Sequence, residues 1–530
     1  MPSANALFPL TTRQACLDKM VDQMSYDIII IGGGASGIGI ALEAITRGYQ
    51  VLLLERDDFS KGTSSRSTKL IHGGVRYLAN ADFGLVRGAA VERARLLRNA
   101  PHLVRNLSFI VPLYSWKNAV KYYTGLKFYD WISSGFSPGP SQWLSTRQLI
   151  KALPGIKRAK LFGGISYHDG QFDDSRLAIN LVQTLWQKGG HAINYAAVTG
   201  LLKNKDGKIC GVQFLDRESG KSIETKAKTV VNATGVFAGN ILQMDEPQAA
   251  RIITVSQGIH LVLDKKFLSG EHALMIPKTS DGRVLFAVPW HGKLVVGTTD
   301  TEVDEAVDEP VALENEIQFI LDTAANYLAH PPGRKDVLSV FAGLRPLAVP
   351  QQKDIKTKTI SRNHKIIVSK SGLFTMLGGK WTTYRKMGED LVDKMEKELQ
   401  WPATRSITKN LRIYGYQNGN NWQDPLFFYG NESGEIRKAV NEAPQNMLSS
   451  ELNLHAVQVE WAVEKEMART VEDVLARRTR ALFLNASEAI RIAPAVADIM
   501  ARCLHKEPGW TARQIDSFNS VAANYLIRKG

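Results

Sequence analysis

The chain has 530 residues, which suggests about two to four domains. Hydrophobic residues make up 44% and charged residues 22%, a globular composition that excludes a mainly disordered, collagen-like or low-complexity chain. Lysine and arginine outnumber the acidic residues by 66 to 52, a net charge of +14, which favours an anionic partner: nucleic acid, an anionic membrane surface or a phosphorylated substrate.

The cysteine pattern and the apolar segments indicate in which compartment the protein is expected and how it could contact a membrane. Cys16, Cys210 and Cys503 stand far apart without zinc-ligand spacing, so we expect a reducing compartment and no metal site. The first 24 residues show no signal-peptide pattern. The apolar stretch Ile28–Leu42 holds five glycines and is short for a membrane span, so any membrane contact is expected to be peripheral.

A βαβ unit is predicted near the N-terminus. Asp27–Ile31 holds four consecutive isoleucines, an apolar, β-branched run typical of a buried parallel strand. Helical spacing follows from Ile38 to Arg47 and ends at Gly48, and Val51–Leu54 is a second apolar strand.

Predicted helices and strands alternate through the rest of the chain. Helical spacing predicts helices over 82–100, 174–188, 313–329 and 380–399. Turn signals at 206–207 and 219–220 predict an antiparallel meander that is followed by a buried strand at 229–233, and further strands are predicted at 284–290, 293–299 and 373–377. A linker is expected at 414–421, followed by a region that is nearly all helix to about residue 527.

A dinucleotide fingerprint lies inside the βαβ unit. Gly32-x-Gly34-x-x-Gly37 connects the strand to the helix, where glycines let the backbone approach a pyrophosphate at the helix N-terminus. Glu55 ends the second strand, where a carboxylate accepts a bond from a ribose 2′-OH, which disfavours NADP. The fingerprint by itself does not distinguish NAD from FAD.

Several longer motifs resemble those of the FAD-dependent, aerobic-type glycerol-3-phosphate dehydrogenases. They are Thr63–Tyr77, Asn232–Gly235, Gly297–Asp300, Gly343–Leu347 and Gly378–Lys386. They follow the family's order, and the likeness covers most of residues 26–525. The resemblance implies non-covalent FAD and oxidation of sn-glycerol 3-phosphate to dihydroxyacetone phosphate by hydride transfer from C2 to FAD, with electrons passed to membrane quinone. An oxidase that uses oxygen, or a non-catalytic FAD-binding module, stays open as an alternative.

The expected cofactor contacts combine close-approach glycines with hydroxyls that can bind phosphate or flavin oxygens. The resemblance and the fingerprint together place FAD on Gly32, Gly34, Gly37, Glu55, Ser64, Ser65, Thr68, Gly235, Gly378, Gly379, Lys380 and Thr382.

Recognition of a phosphate dianion needs cations, because arginine forks and lysine ammonium groups match its oxygens. The segments that resemble the family's substrate contacts supply Arg76, Tyr77, Arg345, Arg362 and Lys380. Without these motifs, the alternative interpretation of each single arginine is a solvated charge on the protein surface. Relatives often have Asp where this chain has Asn363, which puts local charge pairing there in doubt.

Hydride transfer from C2 also needs a base for the hydroxyl proton. His72 in the long motif is the first candidate, although a structural histidine is an equal interpretation, and His260 and His364 are the others. Arg345 is a second catalytic candidate, because it could orient the hydroxyl and stabilise developing negative charge.

Two basic segments bear on partners. The stretch Trp116–Phe136 mixes aromatic residues with lysines, which suits a membrane interface, while a packed helix with a basic outer face is the alternative. The run Arg477-Arg478-x-Arg480 is expected on a solvated helix face or at a contact with anionic lipid or a partner, and we expect no nucleic-acid binding.

The predicted fold class is α/β plus α. A discontinuous Rossmann-type FAD-binding domain is expected over 24–110, 160–250 and 335–400, a mixed-sheet substrate domain over 111–159 and 251–334, and a helical C-terminal domain over 405–530. The expected location is the cytoplasm, with peripheral attachment to the inner face of the cell membrane, and a homodimer is left open.

Overall fold

A computed structural model of the chain describes residues 13–22, 25–74, 83–249, 252–348 and 364–527. Its strands are β1 (Tyr26–Ile31), β2 (Val51–Leu54), β3 (Leu70–Ile71), β4 (Val104–Leu113), β5 (Gln142–Leu144), β6 (Gly163–Phe172), β7 (His191–Ile193), β8 (Ala196–Lys203), β9 (Ile209–Asp216), β10 (Ser222–Asn232), β11 (Ile253–Asp264), β12 (Ala273–Ile276), β13 (Leu285–Trp290), β14 (Lys293–Gly297), β15 (Thr301–Val303), β16 (Val337–Ala348), β17 (Lys365–Val368), β18 (Phe374–Leu377), β19 (Met447–Ser449) and β20 (Leu454–His455).

The helices alternate with these strands and dominate the C-terminal part. They are α1 (Arg13–Asp22), α2 (Ala35–Thr46), α3 (Phe83–Asn99), α4 (Trp116–Ile132), α5 (Thr146–Ala152), α6 (Asp174–Gln187), α7 (Ala238–Asp245), α8 (Glu314–Tyr327), α9 (Tyr384–Glu398), α10 (Ser433–Glu442), α11 (Ala456–Glu466), α12 (Ala481–Leu484), α13 (Ala486–Cys503) and α14 (Trp510–Ala522).

The first sheet has the strand order β17-β18-β10-β1-β2-β7. Its central pairs are parallel, with Ile30 of β1 aligned between Val231 and Leu53, and β8 and β9 extend β10 as the predicted antiparallel meander. Helix α2 packs closely on α9, since a Cβ at Gly388 would stand 2.5 Å from the Gly39 carbonyl oxygen. This βαβ core therefore has the Rossmann-type arrangement.

The second sheet is mixed, with the order β15-β11-β14-β13-β12-β4-β6-β3, and β16 also pairs with β11. Helix α8 covers an apolar cluster on this sheet. The strands β6 and β16, and most of β4, fall inside the ranges expected for the FAD-binding domain, yet they pair in the second sheet. The expected domain ranges therefore differ from the grouping of the strands into sheets. The local sequence pattern does not show which distant strands pair with one another.

The C-terminal region is mainly helical, with one short strand pair, β19 and β20. Its buried cluster includes Val262, Trp290, Val295 and Phe341 of the second sheet, so the helical region packs directly on that sheet. In the described parts of the chain, no helix combines the length and the apolar character needed to cross a bilayer.

The C-terminal arginine run is buried, so the expected solvated face is wrong. Arg477 and Arg478 lie in a π-helical turn, where the Thr479 amide donates to the Val474 carbonyl oxygen (2.9 Å). Both pair with Asp58 of the first half of the chain, the Arg477 Nε at 2.5 Å and an Arg478 nitrogen at 2.7 Å. The three positive charges are buried because each guanidinium has a carboxylate; for Arg480 it is Asp173, at 2.8 Å.

Replacing Asp58 by alanine should strongly destabilise the protein. Burial raises the pKa of Asp58, but Arg478 and Arg477 outweigh this effect and hold it below its usual range, so the side chain is ionised. Its removal leaves two buried guanidinium groups short of a counter-charge, a loss of about 3–5 kcal/mol.

The midpoint of urea unfolding, followed by circular dichroism, measures this loss. Glu442→Gln is the control, because Glu442 and Lys438 form an exposed pair 3.9 Å apart that contributes little. An Asp58→Ala midpoint equal to that of the control would contradict the interpretation.

Candidate active site

A cavity of about 450 Å³ lies between the two sheets. Its wall begins where the parallel strands of the first sheet end and reaches β11 and β16 of the second sheet. Most of the predicted site residues line it: Gly32, Gly34, Glu55, Ser64, Thr68, His72, Gly235, Arg345, Gly378, Gly379, Lys380 and Thr382.

The glycine fingerprint shapes one end of this cavity. Helix α2 begins at Ala35, and its first residues line the cavity, so the partial positive charge of the helix N-terminus borders the ligand space. Gly32 has φ +110°, and a Cβ there would stand 2.7 Å from the Ala233 carbonyl oxygen. Gly37 stays outside the lining, where a Cβ would collide with the Gly32 carbonyl oxygen, so its role is close packing of the turn.

Glu55 stands beside this turn at the end of β2. The Gly33 amide donates to Glu55 Oε2 (2.6 Å), and the Asp57 amide donates to Oε1 (2.9 Å). Burial raises the pKa of Glu55 to about 7, although the two amide bonds oppose it.

The hydroxyl-rich loop after β2 is fixed from two sides. The Ala35 amide donates to Ser64 Oγ (2.9 Å), and the Trp381 indole N–H donates to the Ser64 carbonyl oxygen (2.8 Å). Ser65 is buried behind the loop, and its hydroxyl lies 3.4 Å from the Lys61 and Gly62 carbonyl oxygens. The expected FAD contact of Ser65 is therefore not supported, because its hydroxyl faces the loop backbone and not the cavity.

The strand-to-helix turn after β18 closes the opposite wall. Gly378 and Gly379 have φ +66° and +103°, the left-handed region that side chains disfavour. A single helical turn, Trp381–Thr383, leads into α9, so Lys380 and Thr382 lie at the start of a helical segment that borders the cavity.

Arg345 is held on the floor of the cavity by the second sheet. On one face of the paired strands, Arg345 stands opposite Ser256, and the next cross-strand pair is Gly258 with Gly343. Because Gly258 has no side chain, the guanidinium lies over it. The Arg345 nitrogens donate to Thr298 Oγ1 (2.9 Å) and the Thr299 carbonyl oxygen (3.0 Å) and stand 3.3 Å from Asp300 Oδ1.

The candidate histidines occupy different surroundings. His260 is buried, its Nε2 is 2.9 Å from Thr68 Oγ1, and burial lowers its pKa well below the ordinary value, with Arg345 and Lys69 acting in the same direction. The doubly protonated, cationic form of that ring is therefore strongly disfavoured. The His72 side chain is 38% exposed and lines the cavity, with its Nδ1 3.6 Å from Asp169 Oδ2.

The other expected residues lie away from the cavity or outside the described residues. His364 pairs with Asp390, Nε2 to Oδ2 at 2.9 Å, and is not part of the lining. Arg76, Tyr77 and Arg362 fall outside the described residues.

The cavity lining includes a further cation, Arg66, that the sequence motifs do not single out. Arg66 lines the cavity and pairs with Glu309 at 2.7 Å. It lies inside the long motif Thr63–Tyr77, but nothing in the local pattern separates it from its neighbours.

Comparisons with known proteins agree with this geometry. A family model described as FAD dependent oxidoreductase matches residues 27–385, and one described as the C-terminal domain of alpha-glycerophosphate oxidase matches residues 420–514. The mitochondrial glycerol-3-phosphate dehydrogenase of Macaca fascicularis is 37% identical over 545 residues, covering 96% of this chain and 74% of that protein. Its counterpart from Schizosaccharomyces pombe is 35% identical over 592 residues, covering 99% and 91%.

A solved structure extends the likeness. The glycerol-3-phosphate dehydrogenase from Bacillus halodurans, complexed with FAD, superposes with a TM-score of 0.79 at 28% identity and covers 98% of this chain and 99% of that one. The chain belongs to the FAD-dependent glycerol-3-phosphate dehydrogenase family.

FAD is the cofactor of this family member, and the cavity fits it. The glycine turn and the α2 N-terminus suit the pyrophosphate, and Glu55 suits the ribose. The Gly378–Thr382 turn lines the same cavity as His72 and Arg345, and Thr382 Oγ1 lies 3.5 Å from the His72 carbonyl oxygen.

FAD affinity should fall as the pH drops below about 7. A ribose hydroxyl that donates to Glu55 favours the ionised carboxylate, so binding releases a proton whenever Glu55 is protonated beforehand. The affinity is then full above pH 7 and decreases by up to about tenfold per pH unit below it.

Fluorescence titration of FAD with apoprotein between pH 6 and 8 tests this coupling. Glu55→Gln should bind more weakly at pH 8 and lose the slope. Equal slopes for Glu55→Gln and the wild type would mean that another group carries the coupling.

Proposed function

We propose that the protein oxidises sn-glycerol 3-phosphate to dihydroxyacetone phosphate and passes the electrons to membrane quinone. The observation that carries the proposal is that a dinucleotide cradle, a buttressed arginine and a half-exposed histidine line one cavity. The names of the family relatives supply the substrate.

Cations on the cavity wall would bind the substrate. Arg345 and Lys380 both line the cavity, and a phosphate dianion is matched by a guanidinium fork together with an ammonium group. The bonds from Arg345 to Thr298 and Thr299 fix the plane of the fork, so little side-chain entropy remains to be lost on binding. Arg76, Tyr77 and Arg362 remain proposed contacts of the same phosphate.

His72 would take the C2 hydroxyl proton while the C2 hydride leaves. FAD, when bound, supplies the acceptor of that hydride. His72 suits the base role better than His260, because Asp169 can stabilise an imidazolium at His72, whereas His260 is buried beside two cations. Arg345 would orient the hydroxyl and stabilise negative charge on its oxygen as the proton leaves.

Anaerobic addition of glycerol 3-phosphate to the FAD-loaded protein should bleach the flavin absorbance. Arg345→Ala should raise KM and lower kcat/KM by about 10–150-fold, because a charge-assisted bond contributes roughly 1.5–3 kcal/mol. Arg513→Ala is the control, an exposed arginine paired with Glu507.

The outcomes separate the alternatives. A yellow protein that no substrate bleaches would identify a non-catalytic FAD-binding module. Reoxidation by oxygen at least as fast as by a quinone analogue would favour the oxidase. Wild-type kinetics for Arg345→Ala would place the phosphate site elsewhere.

Helix α4 is the proposed contact with the inner face of the cell membrane, which would bring a cytoplasmic protein to its quinone. The helix covers 116–132 of the aromatic and basic stretch, and its outward residues include Trp116 (63% exposed), Val120 (60%) and Trp131 (72%). Lys117 and Lys121 are also exposed. Tyr122 packs against the inner cluster and Tyr129 is buried, so only part of the aromatic set is available.

The triple variant Trp116→Ser, Val120→Ser, Trp131→Ser should lose the salt-resistant part of liposome binding and remain folded and FAD-loaded. Exposed lysines contribute about 1 kcal/mol each near an anionic surface, a part that 1 M salt screens, whereas apolar contact is not weakened by salt. Cosedimentation with anionic and zwitterionic vesicles measures both parts.

The control is Ile407→Ser, Met447→Ser, two exposed apolar residues of the C-terminal region. Wild-type protein that stays in solution with anionic vesicles at low salt would contradict membrane attachment. Unfolding of the triple variant would instead show that these side chains belong to the packed core.

A further inference from the structure

Asp169 is a buried carboxylate that the chain's long-range pairing brings to His72. It lies in β6, its side chain is 1% exposed, and β6 pairs with β3, where Ile71 is opposite Gly170. His72 directly follows β3. The two residues are 97 positions apart in the chain, and this strand pairing places them side by side.

The two oxygens of Asp169 have different partners. Oδ1 accepts from an Arg93 guanidinium nitrogen (2.6 Å), the Gly73 amide (2.8 Å) and the Gly170 amide (3.0 Å). Oδ2 is buried, has no hydrogen-bond partner among the described residues, and lies 3.6 Å from His72 Nδ1. A buried carboxylate oxygen that accepts no hydrogen bond destabilises the fold, so its retention beside an imidazole nitrogen points to a role for the pair.

We propose that Asp169 is the positioning residue of His72, holding the proton on Nδ1 so that Nε2 accepts the C2 hydroxyl proton. The inference rests on the proposed function. When His72 takes that proton, the ring carries both N–H groups and a positive charge, and the contact with Oδ2 becomes a charge-assisted bond. The proton moves from the hydroxyl oxygen to Nε2 while the hydride leaves C2 with its electron pair, so the Asp169–His72–substrate group becomes more positive by one charge, which the Asp169 carboxylate offsets at the imidazolium.

Arg93 keeps this carboxylate ionised and in place. Burial raises the pKa of Asp169, but Arg93 and His72 together hold it below the ordinary value. The charged and titratable groups that face Asp169 from the packed elements are Arg93, His72, Tyr129 and Tyr167.

The backbone beside His72 is equally constrained. Arg93 also donates to Tyr129 Oη (2.7 Å) and to the Phe136 carbonyl oxygen (3.1 Å). A Cβ at Gly73 would collide with both Tyr129 Oη and the Arg93 guanidinium, so the chain that follows His72 is pressed against this group. The carboxylate is therefore fixed before any substrate arrives, as a positioning residue requires.

The experiment uses the full-length, FAD-loaded Asp169→Asn variant, with kcat expressed per bound FAD. Asparagine can still accept from Arg93, but its amide donates to Nδ1 and moves the ring proton to Nε2, which blocks the base. We expect kcat to fall by about 10²–10⁴-fold and KM to change little. Loss of the negative charge removes the counter-charge of the imidazolium, so the acid limb of the kcat/KM profile should also move to lower pH.

Asp169→Glu is the second variant, because it keeps the charge but displaces the carboxylate by one methylene. Its acid limb should stay near the wild-type pH, with kcat between that of Asp169→Asn and that of the wild type. Asp216→Asn is the matched control: Asp216 and Arg13 form another buried pair, at 2.6 Å, outside the cavity lining. A control with lower thermal stability but wild-type kcat and pH profile would separate damage to the fold from the effect on His72.

Two results would overturn the inference. One is a FAD-loaded Asp169→Asn variant with wild-type kcat and an unmoved acid limb. If that variant yields no FAD-loaded protein, wild-type kcat for Asp169→Glu would overturn it in the same way. Failure of the proposed function is distinct, because the wild-type flavin would then not be bleached by glycerol 3-phosphate at all.

Discussion

The carboxylate of Asp58 is the point on which the arrangement of the chain depends. It lies four residues after β2, next to the loop that lines the FAD cavity, and two guanidinium groups from the C-terminal region share it. Arg477 also pairs with Glu472, and Glu472 in turn holds Lys61 of the cavity lining. Because breaking a buried ion pair costs about 3–5 kcal/mol, these pairs strongly favour the packing in which the helical region meets the loop after β2.

A second buried pair also holds the loop after β2. Lys69 Nζ lies 2.8 Å from Asp174 Oδ1, at the start of α6, and contacts the aromatic faces of Trp290, Phe341 and Phe483. Those rings come from the second sheet and from α12. Thr68, next to Lys69, contacts His260. The ion pairs of Asp58 and Lys69 thus hold the loop after β2 at two points, and the site residues on this loop have little freedom to move.

The sequence pattern predicts the strands and helices whose residue types are set by their immediate neighbours in the chain. The strand β1, the glycine turn before α2 and the position of Glu55 at the end of β2 agree with the sequence pattern, because a parallel strand and a helix N-terminus impose their own periodicity and residue types. The burial of the arginine run does not follow from the local sequence, because composition does not show where the counter-charges lie. Asp58 is more than 400 residues from Arg477 in the chain. Asp169 had one weak signal, a carboxylate inside a run of strand-forming residues, but only pairing of β3 with β6 shows that it meets His72.

Helix α4 joins the two proposals physically, because its inner face contacts Arg93 and its outer face is the proposed membrane contact. Tyr129 points inward to Arg93 and thus to Asp169, while its close neighbours Phe128 and Trp131 are exposed, 40% and 72%, with ring centroids 5.6 Å apart. A helix places residues one or two positions apart on different faces, so the exposed aromatic rings and the buried hydroxyl belong to one rigid unit. A force that tilted α4 on a membrane would therefore reach the carboxylate beside His72 through two hydrogen bonds, of 2.7 and 2.6 Å. Ala119 and Leu126 of the same helix are buried against the second sheet, and this packing opposes such a tilt, so the proposed lipid contact of the outer face would leave the site undisturbed.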